Sequence, residues 1–495
     1  MRTPFLQYLY LQKPVTMAII ICAISVLPWI GLWDFSANES REAGIAASIL
    51  ETGNCVLPTD AEGELAYTPP MLHWLIAAFS LPQGHVSEFT ARLPSALALI
   101  VLIGFTLFFF GERIKFQEAF ICTFLLLTCI EVHKAGMIAG TDMLFTAFIV
   151  IALYMLYRWE NKLELKGLPI SIPILIGCAV LTKGLTGILL PLLVFGVYLV
   201  ILKKHRTLTI IKALIYAGVA SSFLPLIWYA AVWRQAGDQF FNVLFVESSE
   251  HVHGIWYYFG ALLGGFMPWT LFFFFSLFGL KLRWPQKFNI RSLDKIKMFS
   301  LVALVCIFFF YFIPSGKKSA FLLPAYPFIA VFLAQYTIYI TEYRMLVTRI
   351  FVGFLSLITL VILTTFVLTI THVIDPVSIT AQFTSNPLIL NNATLVKSAV
   401  QSPDLITTGI VLIVLAALVT VIYQMFKKIN LKMLYATIFL AFAVNLMVDG
   451  IFIRNIKSVE TSNYSFTTST SISTNPFLGN VFTATAERAG KLPSN

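Results

Sequence analysis

The chain has 495 residues, 58% hydrophobic and only 12% charged, with 45 Phe, where soluble domains average about 25% charged residues. This excludes a soluble multidomain enzyme; because a bilayer-crossing helix needs about 20 mostly apolar residues, the length allows about a dozen spans. The formal charge of +10 therefore bears on orientation in a membrane rather than on nucleic acid.

The first apolar run follows Arg2 and Lys13, lacks a small-residue cleavage site and leads into Trp33-Asp34, so it reads as a retained first helix. Apolar runs bounded by polar or Gly/Pro punctuation predict thirteen spans, near 16–33, 93–110, 117–133, 141–158, 168–182, 185–202, 210–233, 257–280, 298–313, 320–341, 347–371, 408–426 and 432–453. The apolar stretch 71–82 is too short to span and is expected at the interface or as a re-entrant segment. The fold class is thus an all-α polytopic membrane protein, with residues 1–453 as one transmembrane domain and 454–495 as a short, polar, Ser/Thr-rich tail. All six cysteines except Cys55 lie in apolar stretches, and no disulfide framework or CxxC metal motif exists.

With the N-terminus in the cytoplasm, the short cytoplasmic loops are basic: Lys203, Lys204, Arg206 and Lys212 in one, Lys281, Arg283, Lys287, Arg291, Lys295 and Lys297 in another, as the positive-inside rule expects. The opposite face receives the long segments 34–92, 234–256, 372–407 and the tail, together with most of the acids. Long loops carry function more often than short ones.

The first outer loop is strongly acidic: Asp34, Glu39, Glu42, Glu51, Asp60, Glu62 and Glu64 face only Arg41. Ala43, Ala46, Ala47 and Leu50 recur at helical spacing and stop at Gly53, which predicts a surface amphipathic helix with Asn38 as its N-cap. Glu39 falls in its first turn, either as a chemical group or as an acid favoured by the helix dipole. Asp142, in Gly140-Thr141-Asp142, opens a span at the same face and is either a cap or a functional acid. Lys183, in Thr182-Lys183-Gly184, and Lys317-Lys318 follow apolar runs there; such cations suit a phosphate, or snorkel at the interface. His251 and His253 lie among Glu247 and Glu250, a set able to bind a divalent metal, although an interfacial aromatic belt with Trp256, Tyr257 and Tyr258 explains the same residues.

Read in order, Asn38-Glu39-Ser40-Arg41-Glu42-Ala43 with Gly53-Asn54 and Pro58, Pro69-Pro70 with His73-Trp74-Leu75, Arg92-Leu93-Pro94, Thr141-Asp142, Thr182-Lys183-Gly184, His253 with Trp256-Tyr257-Tyr258, Pro268-Trp269, Gly316-Lys317-Lys318, Phe321-Leu322-Leu323-Pro324 and Tyr326-Pro327 form one pattern. It resembles the aminoarabinose transferase and protein O-mannosyltransferase branch of the bacterial C-type (GT-C) integral-membrane glycosyltransferases, from about residue 34 to 327. The thirteen-span topology, N-terminus in and C-terminus out, is also what the resemblance implies.

The resemblance implies transfer of a pentose or hexose from a polyprenyl-phosphate donor to a lipid, glycan or protein acceptor. The site would face the outside of the bacterial cytoplasmic membrane, with membrane lipids as partners and no nucleic acid. In-line attack would invert the anomeric centre; the carrier phosphate leaves, so no nucleotide site is needed, and the sequence has no P-loop or Gly-rich dinucleotide motif. A carboxylate is needed to activate the acceptor and cations to stabilise the phosphate. Residue by residue, Glu39 falls on the family's conserved Glu and Asp142 on its second functional acid, the catalytic candidates. Arg41, Tyr67, Lys183, Lys317, Lys318 and His253 become the substrate-binding candidates, and a divalent metal at His251 and His253 is the one cofactor suggested. Two departures stand out: the helix motif, Asp-Glu-x-Arg-Tyr-Ala in the family, begins here with Asn38, and the family's Lys before the double Pro is Thr68. With Asn38 in the usual base position, Glu39 or Asp142 is expected to serve. Rival readings are a transporter or flippase of lipid-linked sugars, which should show discontinuous helices or mid-span ionisable residues, a glycan polymerase, which would rely on a late outer loop, and a non-catalytic relative.

Overall fold

The structure, a computed structural model, describes residues 4–60, 63, 65–66, 68–237, 254, 256–279, 294–314, 316–384, 390, 393–394, 397, 400, 405–427 and 430–453. The tail 454–495 lies outside the described residues. The chain divides into two compact units, Met1–Thr359 with Val414–Asn445, and Leu360–Ile413 with Leu446–Asn495.

Among the described residues the fold is helical, its one extended feature being an isolated antiparallel bridge between Thr59 and Leu65. The helices are α1 (Pro4–Val26), α2 (Ala37–Thr52), α3 (Met71–Ser80), α4 (Glu88–Gly111), α5 (Phe116–Leu127), α6 (Ile130–Met137), α7 (Thr141–Trp159), α8 (Ser171–Lys183), α9 (Thr186–Leu202) and α10 (Thr207–Ala236). They continue as α11 (Tyr257–Gly265), α12 (Trp269–Gly279), α13 (Lys295–Phe312), a 3₁₀ turn Ser319–Ala325, α14 (Tyr326–Tyr343), α15 (Met345–Ile370), α16 (Pro376–Phe383), α17 (Leu405–Phe426) and α18 (Asn430–Met447). By length and composition eight described helices can cross a membrane, or ten if each of two bent pairs is one span. The three other predicted spans fall on shorter apolar helices, Gln12–Val26, Ser171–Lys183 and Thr186–Leu202.

Two segments read as single spans, 117–133 and 257–280, are broken. The α5–α6 pair bends by 61° and the α11–α12 pair by 104°. Apolar patterning runs straight through both, so periodicity alone is blind to the breaks. The backbone freed by a break must find partners where water is excluded, and here the two breaks serve each other. Ile130 N–H donates to Met267 O at 3.3 Å, Trp269 Nε1 to Thr128 Oγ1 at 2.9 Å, and Asn445 Nδ2 on α18 to Thr128 O at 3.4 Å.

The interior of the first unit is aromatic. Phe109 of α4 stacks on Tyr154 of α7 at 4.0 Å, and Tyr154 meets Phe328 of α14 edge-on at 5.9 Å. By contrast α10 turns large side chains outward, with Val219 69% and Phe223 72% exposed, as a helix bordered by lipid does without penalty. In the second unit, Asp375 Oδ1 accepts from Val377 N–H at 3.1 Å to cap α16, and its carboxylate pairs with Lys397 at 3.2 Å.

Candidate active site

The described part of loop 34–92 packs at one end of the first unit. The surface helix α2 forms as the Ala43, Ala46, Ala47 and Leu50 spacing predicts and ends where Gly53 adopts φ +72°, the left-handed cap that favours glycine. Its N-cap is Ser36 rather than Asn38: Ser36 N–H and Oγ donate to Glu39 Oε2 at 3.0 and 2.9 Å, so the third helical residue, not the second, fixes where the helix starts.

Glu39 is fully buried. Its Oε1 accepts from Arg92 Nε at 2.8 Å and from Ala139 N–H at 3.0 Å, while Oε2 takes Arg92 Nη2 at 3.1 Å in addition to both Ser36 donors. Arg92, also fully buried, spends its other donors on the carbonyls of Ile30 at 2.8 Å, Trp33 at 2.7 Å and Asp34 at 3.0 Å. Its guanidinium lies 5.0 Å from the Trp33 ring. Burial pushes the Glu39 carboxyl up, but the Arg92 hydrogen bond and charge and the Ser36 and Ala139 amides outweigh it and hold the pKa down at about 2. Five donors occupy the carboxylate, leaving no lone pair aimed at a substrate. Sequence reading names Glu39 as a catalytic candidate; here five donors enclose its carboxylate, which ties α2 to α4 and to the entry of α7.

One turn on, Glu42 behaves differently. Its Oε2 lies 2.6 Å from His73 Nε2 of α3, with Glu42 23% and His73 1% exposed. Beyond α2, Asn54 Oδ1 accepts from the amides of Val56 at 3.1 Å and Leu57 at 3.2 Å. The indoles of Trp74 and Trp228 donate to Cys55 O at 2.7 Å and Val56 O at 3.0 Å. Leu57 thereby packs with Leu181, Trp228 and Val232 against the ends of α8 and α10.

Asp142, in the first turn of α7, forms an ion pair with Lys183, the last residue of α8. The Lys183 ammonium lies 5.3 Å from the Phe145 ring and 5.0 Å from the Phe321 ring, which fixes a cation between aromatic faces. Asp142 is 36% exposed and Lys183 15%, so the pair borders open space. Phe321 stacks on Tyr311 of α13 at 5.3 Å, completing the wall.

The 3₁₀ turn that carries Phe321 starts at Ser319, whose Oγ donates to Glu131 Oε1 of α6 at 2.7 Å. Glu131, Ser319, Trp256, Tyr257, Gly260 and Gly264 line a groove of about 500 Å³. No atom lies within 4 Å of a side chain added at Gly260 or Gly264, so the glycines keep this wall open.

The other expected residues divide. Lys317 is 7% exposed and donates to Pro314 O at 3.2 Å; Lys318 and Arg41 are exposed. Tyr67, His251 and His253 lie outside the described residues, and the divalent-metal reading with them. Among the described residues, no group of three or more His, Cys, Asp and Glu is placed to hold a metal. The structure thus brings Asp142 and Lys183 together and sets Phe321 of the 3₁₀ turn beside them, while Glu39 pairs with Arg92. Sequence reading missed Arg92, Glu131 and His73 as site residues. The signal for Arg92 was a lone cation at the head of an apolar span, and for Glu131 an acid inside an expected span; for His73 there was none beyond its place in the double-Pro motif.

Comparison with known proteins shows what the chain is similar to. A family model described as dolichyl-phosphate-mannose-protein mannosyltransferase matches residues 67–233. ArnT from Cupriavidus metallidurans bound to undecaprenyl phosphate superposes with a TM-score of 0.63 at 17% identity, over 88% of this chain and 77% of that one. The chain has the GT-C fold and resembles the aminoarabinose transferases. Among relatives in sequence, an uncharacterized protein from Aquifex aeolicus is 30% identical over 308 residues, 60% of this chain and 58% of that protein. The undecaprenyl phosphate-alpha-4-amino-4-deoxy-L-arabinose arabinosyl transferase of Shewanella sediminis is 22% identical over 342 residues, 66% of this chain and 60% of that protein. The chain therefore spans less than two thirds of the length of these relatives.

Proposed function

We propose that this multi-pass membrane protein is a glycosyltransferase that moves a pentose or hexose from a polyprenyl-phosphate carrier to a lipid, glycan or protein acceptor. The reaction would take place at the outer face of the bacterial cytoplasmic membrane. The observation that carries the reading is the Asp142–Lys183 pair at the ends of α7 and α8, walled by Phe145 and Phe321 and open on one side. A cation held between aromatic rings beside an acid can take the charge that builds on a departing phosphate. In this reading Lys183 contacts the phosphate, with Lys318 and Arg41 as exposed cations able to join it, and Asp142 holds Lys183 in place and meets the sugar. Attack comes in line with the breaking anomeric carbon–phosphate bond, so the anomeric centre inverts. The Glu131–Ser319 groove, with Trp256 and Tyr257, offers the aromatic faces and acceptor oxygens that suit a sugar.

The test uses the full chain in proteoliposomes with radiolabelled undecaprenyl-phosphate-linked mannose, glucose and 4-amino-4-deoxy-arabinose, and bacterial membrane lipids as acceptors. One of these donors is expected to pass label to a new product, and Lys183→Met or Asp142→Asn to lower the rate by about 10²–10³-fold. A second reading, a flippase of lipid-linked sugars, is favoured by the two broken spans. A flippase would move the donor across the bilayer and leave it unconsumed, and that result would refute the transferase.

A further inference from the structure

The first turns of α2 hold three polar side chains, Asn38, Glu39 and Glu42, at positions where the resembling motif has Asp, Glu and Tyr. Asn38 is an amide and takes no proton from an acceptor. Glu39 accepts five hydrogen bonds and is sealed against Arg92. Glu42 lies four residues beyond Asn38 and therefore on the same face of the helix. Its Oε2 is held by His73 at 2.6 Å, whereas its Oε1 has no hydrogen-bond partner among the described residues, and the side chain is 23% exposed. The imidazole that holds it is buried on α3, within a helix anchored by the Trp74 indole. One carboxylate oxygen is thus fixed and the other open, the arrangement of a base with its orienting partner.

We propose that Glu42 is the base that takes the proton of the acceptor hydroxyl, and that His73 is its positioning residue. The acid lost at position 38 is restored one helical turn further along the same face. Fastening α2 to α3 does not require this carboxylate: Ala43, Ala46 and Ile49 of α2 and Leu72 and Ile76 of α3 are buried, and Glu39 already locks α2 to α4. The assignment rests on the transferase reading above and specifies a hydroxyl as the attacking group. The step balances as follows: the acceptor O–H proton passes to Glu42 Oε1, the oxygen lone pair forms the new bond to the anomeric carbon, and the bond from that carbon to the carrier phosphate oxygen breaks. The bonding pair leaves with the phosphate toward Lys183. Because Ala139, three residues before Asp142, donates to Glu39, the helix that bears Glu42 adjoins the entry of the helix that bears Asp142.

The experiment compares wild type, Glu42→Gln, Glu42→Gln/Asn38→Asp and His73→Gln in the same proteoliposomes and donors, with binding of undecaprenyl phosphate measured in parallel. Glu42→Gln is expected to lower kcat by about 10²–10⁴-fold with donor KM and undecaprenyl phosphate binding within about threefold of wild type. Adding Asn38→Asp should return at least about tenfold of that loss, because it restores a carboxylate on the same face. His73→Gln should lower kcat and leave KM in place. A Glu42→Gln variant as active as wild type overturns the assignment while leaving the transferase reading intact. So does a loss that Asn38→Asp does not relieve, or one that tracks lost undecaprenyl phosphate binding. A wild-type chain inert toward every donor overturns the transferase reading and this assignment with it.

Discussion

Replacing Arg92 with Met tests whether the Glu39–Arg92 pair is a fastener. The substitution keeps the length and apolar contacts of the side chain but deletes five hydrogen bonds, two to Glu39 and one each to Ile30, Trp33 and Asp34. Glu39 keeps the Ser36 and Ala139 donors but loses its counter-charge inside the protein. Removing one partner of a buried ion pair costs about 3–5 kcal/mol, and each carbonyl left without a donor adds up to about 1 kcal/mol where water does not replace it. The expected loss is therefore about 5 kcal/mol, read from unfolding of the purified protein in detergent by a denaturant titration. Lys in place of Arg keeps the charge with three donors instead of five and should lose about half as much.

The acid limb gives an independent reading. A carboxyl with a folded pKa of about 2, against an ordinary value of 4.5, adds stability that is complete above pH 4.5 and disappears as pH falls toward 2. The difference is worth about 3 kcal/mol. Wild type should lose that increment on acidification, and Glu39→Gln, already without it, should not. In the double variant Glu39→Gln/Arg92→Met the two losses should fall short of additive by about 1–3 kcal/mol. An Arg92→Met protein within about 1 kcal/mol of wild type, or acid limbs that coincide for wild type and Glu39→Gln, would refute the fastener.

Two further substitutions probe the frame around the site. At Gly187 an added Cβ would lie 2.4 Å from Val180 N and 2.5 Å from Ala179 C on α8; since this is backbone, Gly187→Ala should push α9 off α8. It should destabilise by about 1–3 kcal/mol and also lower sugar transfer, because Lys183 ends α8 at that crossing. Asn54→Ala removes the side-chain bonds to Val56 N, Leu57 N and Leu57 O and should speed hydrogen exchange at the Val56 and Leu57 amides by about tenfold or more.

Much of the fold was legible in sequence because lipid imposes one length scale. Each predicted span overlaps a helix or a helix pair, although the first, 16–33, outruns α1, which ends at Val26 before a run of turns; the Ala43–Leu50 periodicity with a stop at Gly53 matches α2. The break at 128–129 was not legible, since Thr128 and Cys129 are as compatible with a continuous apolar run as with a bend; at 266–268 the helix-breaking Pro268 was a local signal, overridden by the apolar run around it. The same holds at the site. Asp142 and Lys183, 41 residues apart, each carried a local signal, a polar residue at the end of an apolar run. Glu39 and Arg92, 53 residues apart, also carried local signals, but nothing local says that they satisfy one another, so an acid that is a fastener looked like an acid with work to do.

The contrast between Glu39 and Glu42 follows from their partners. Arginine is charged at every accessible pH and presents five donors in a rigid fork. At Glu39 it meets a site from which water is excluded, and with the Ser36 and Ala139 donors it consumes both oxygens. A histidine presents one ring nitrogen to a carboxylate at a time, so Glu42 retains an oxygen free to exchange partners. Two glutamates less than one turn apart on one helix are thereby assigned opposite tasks by what stands across from them, Arg92 on α4 and His73 on α3. Mutating the partner should therefore separate the phenotypes: loss of Arg92 shows first in stability, loss of His73 first in turnover.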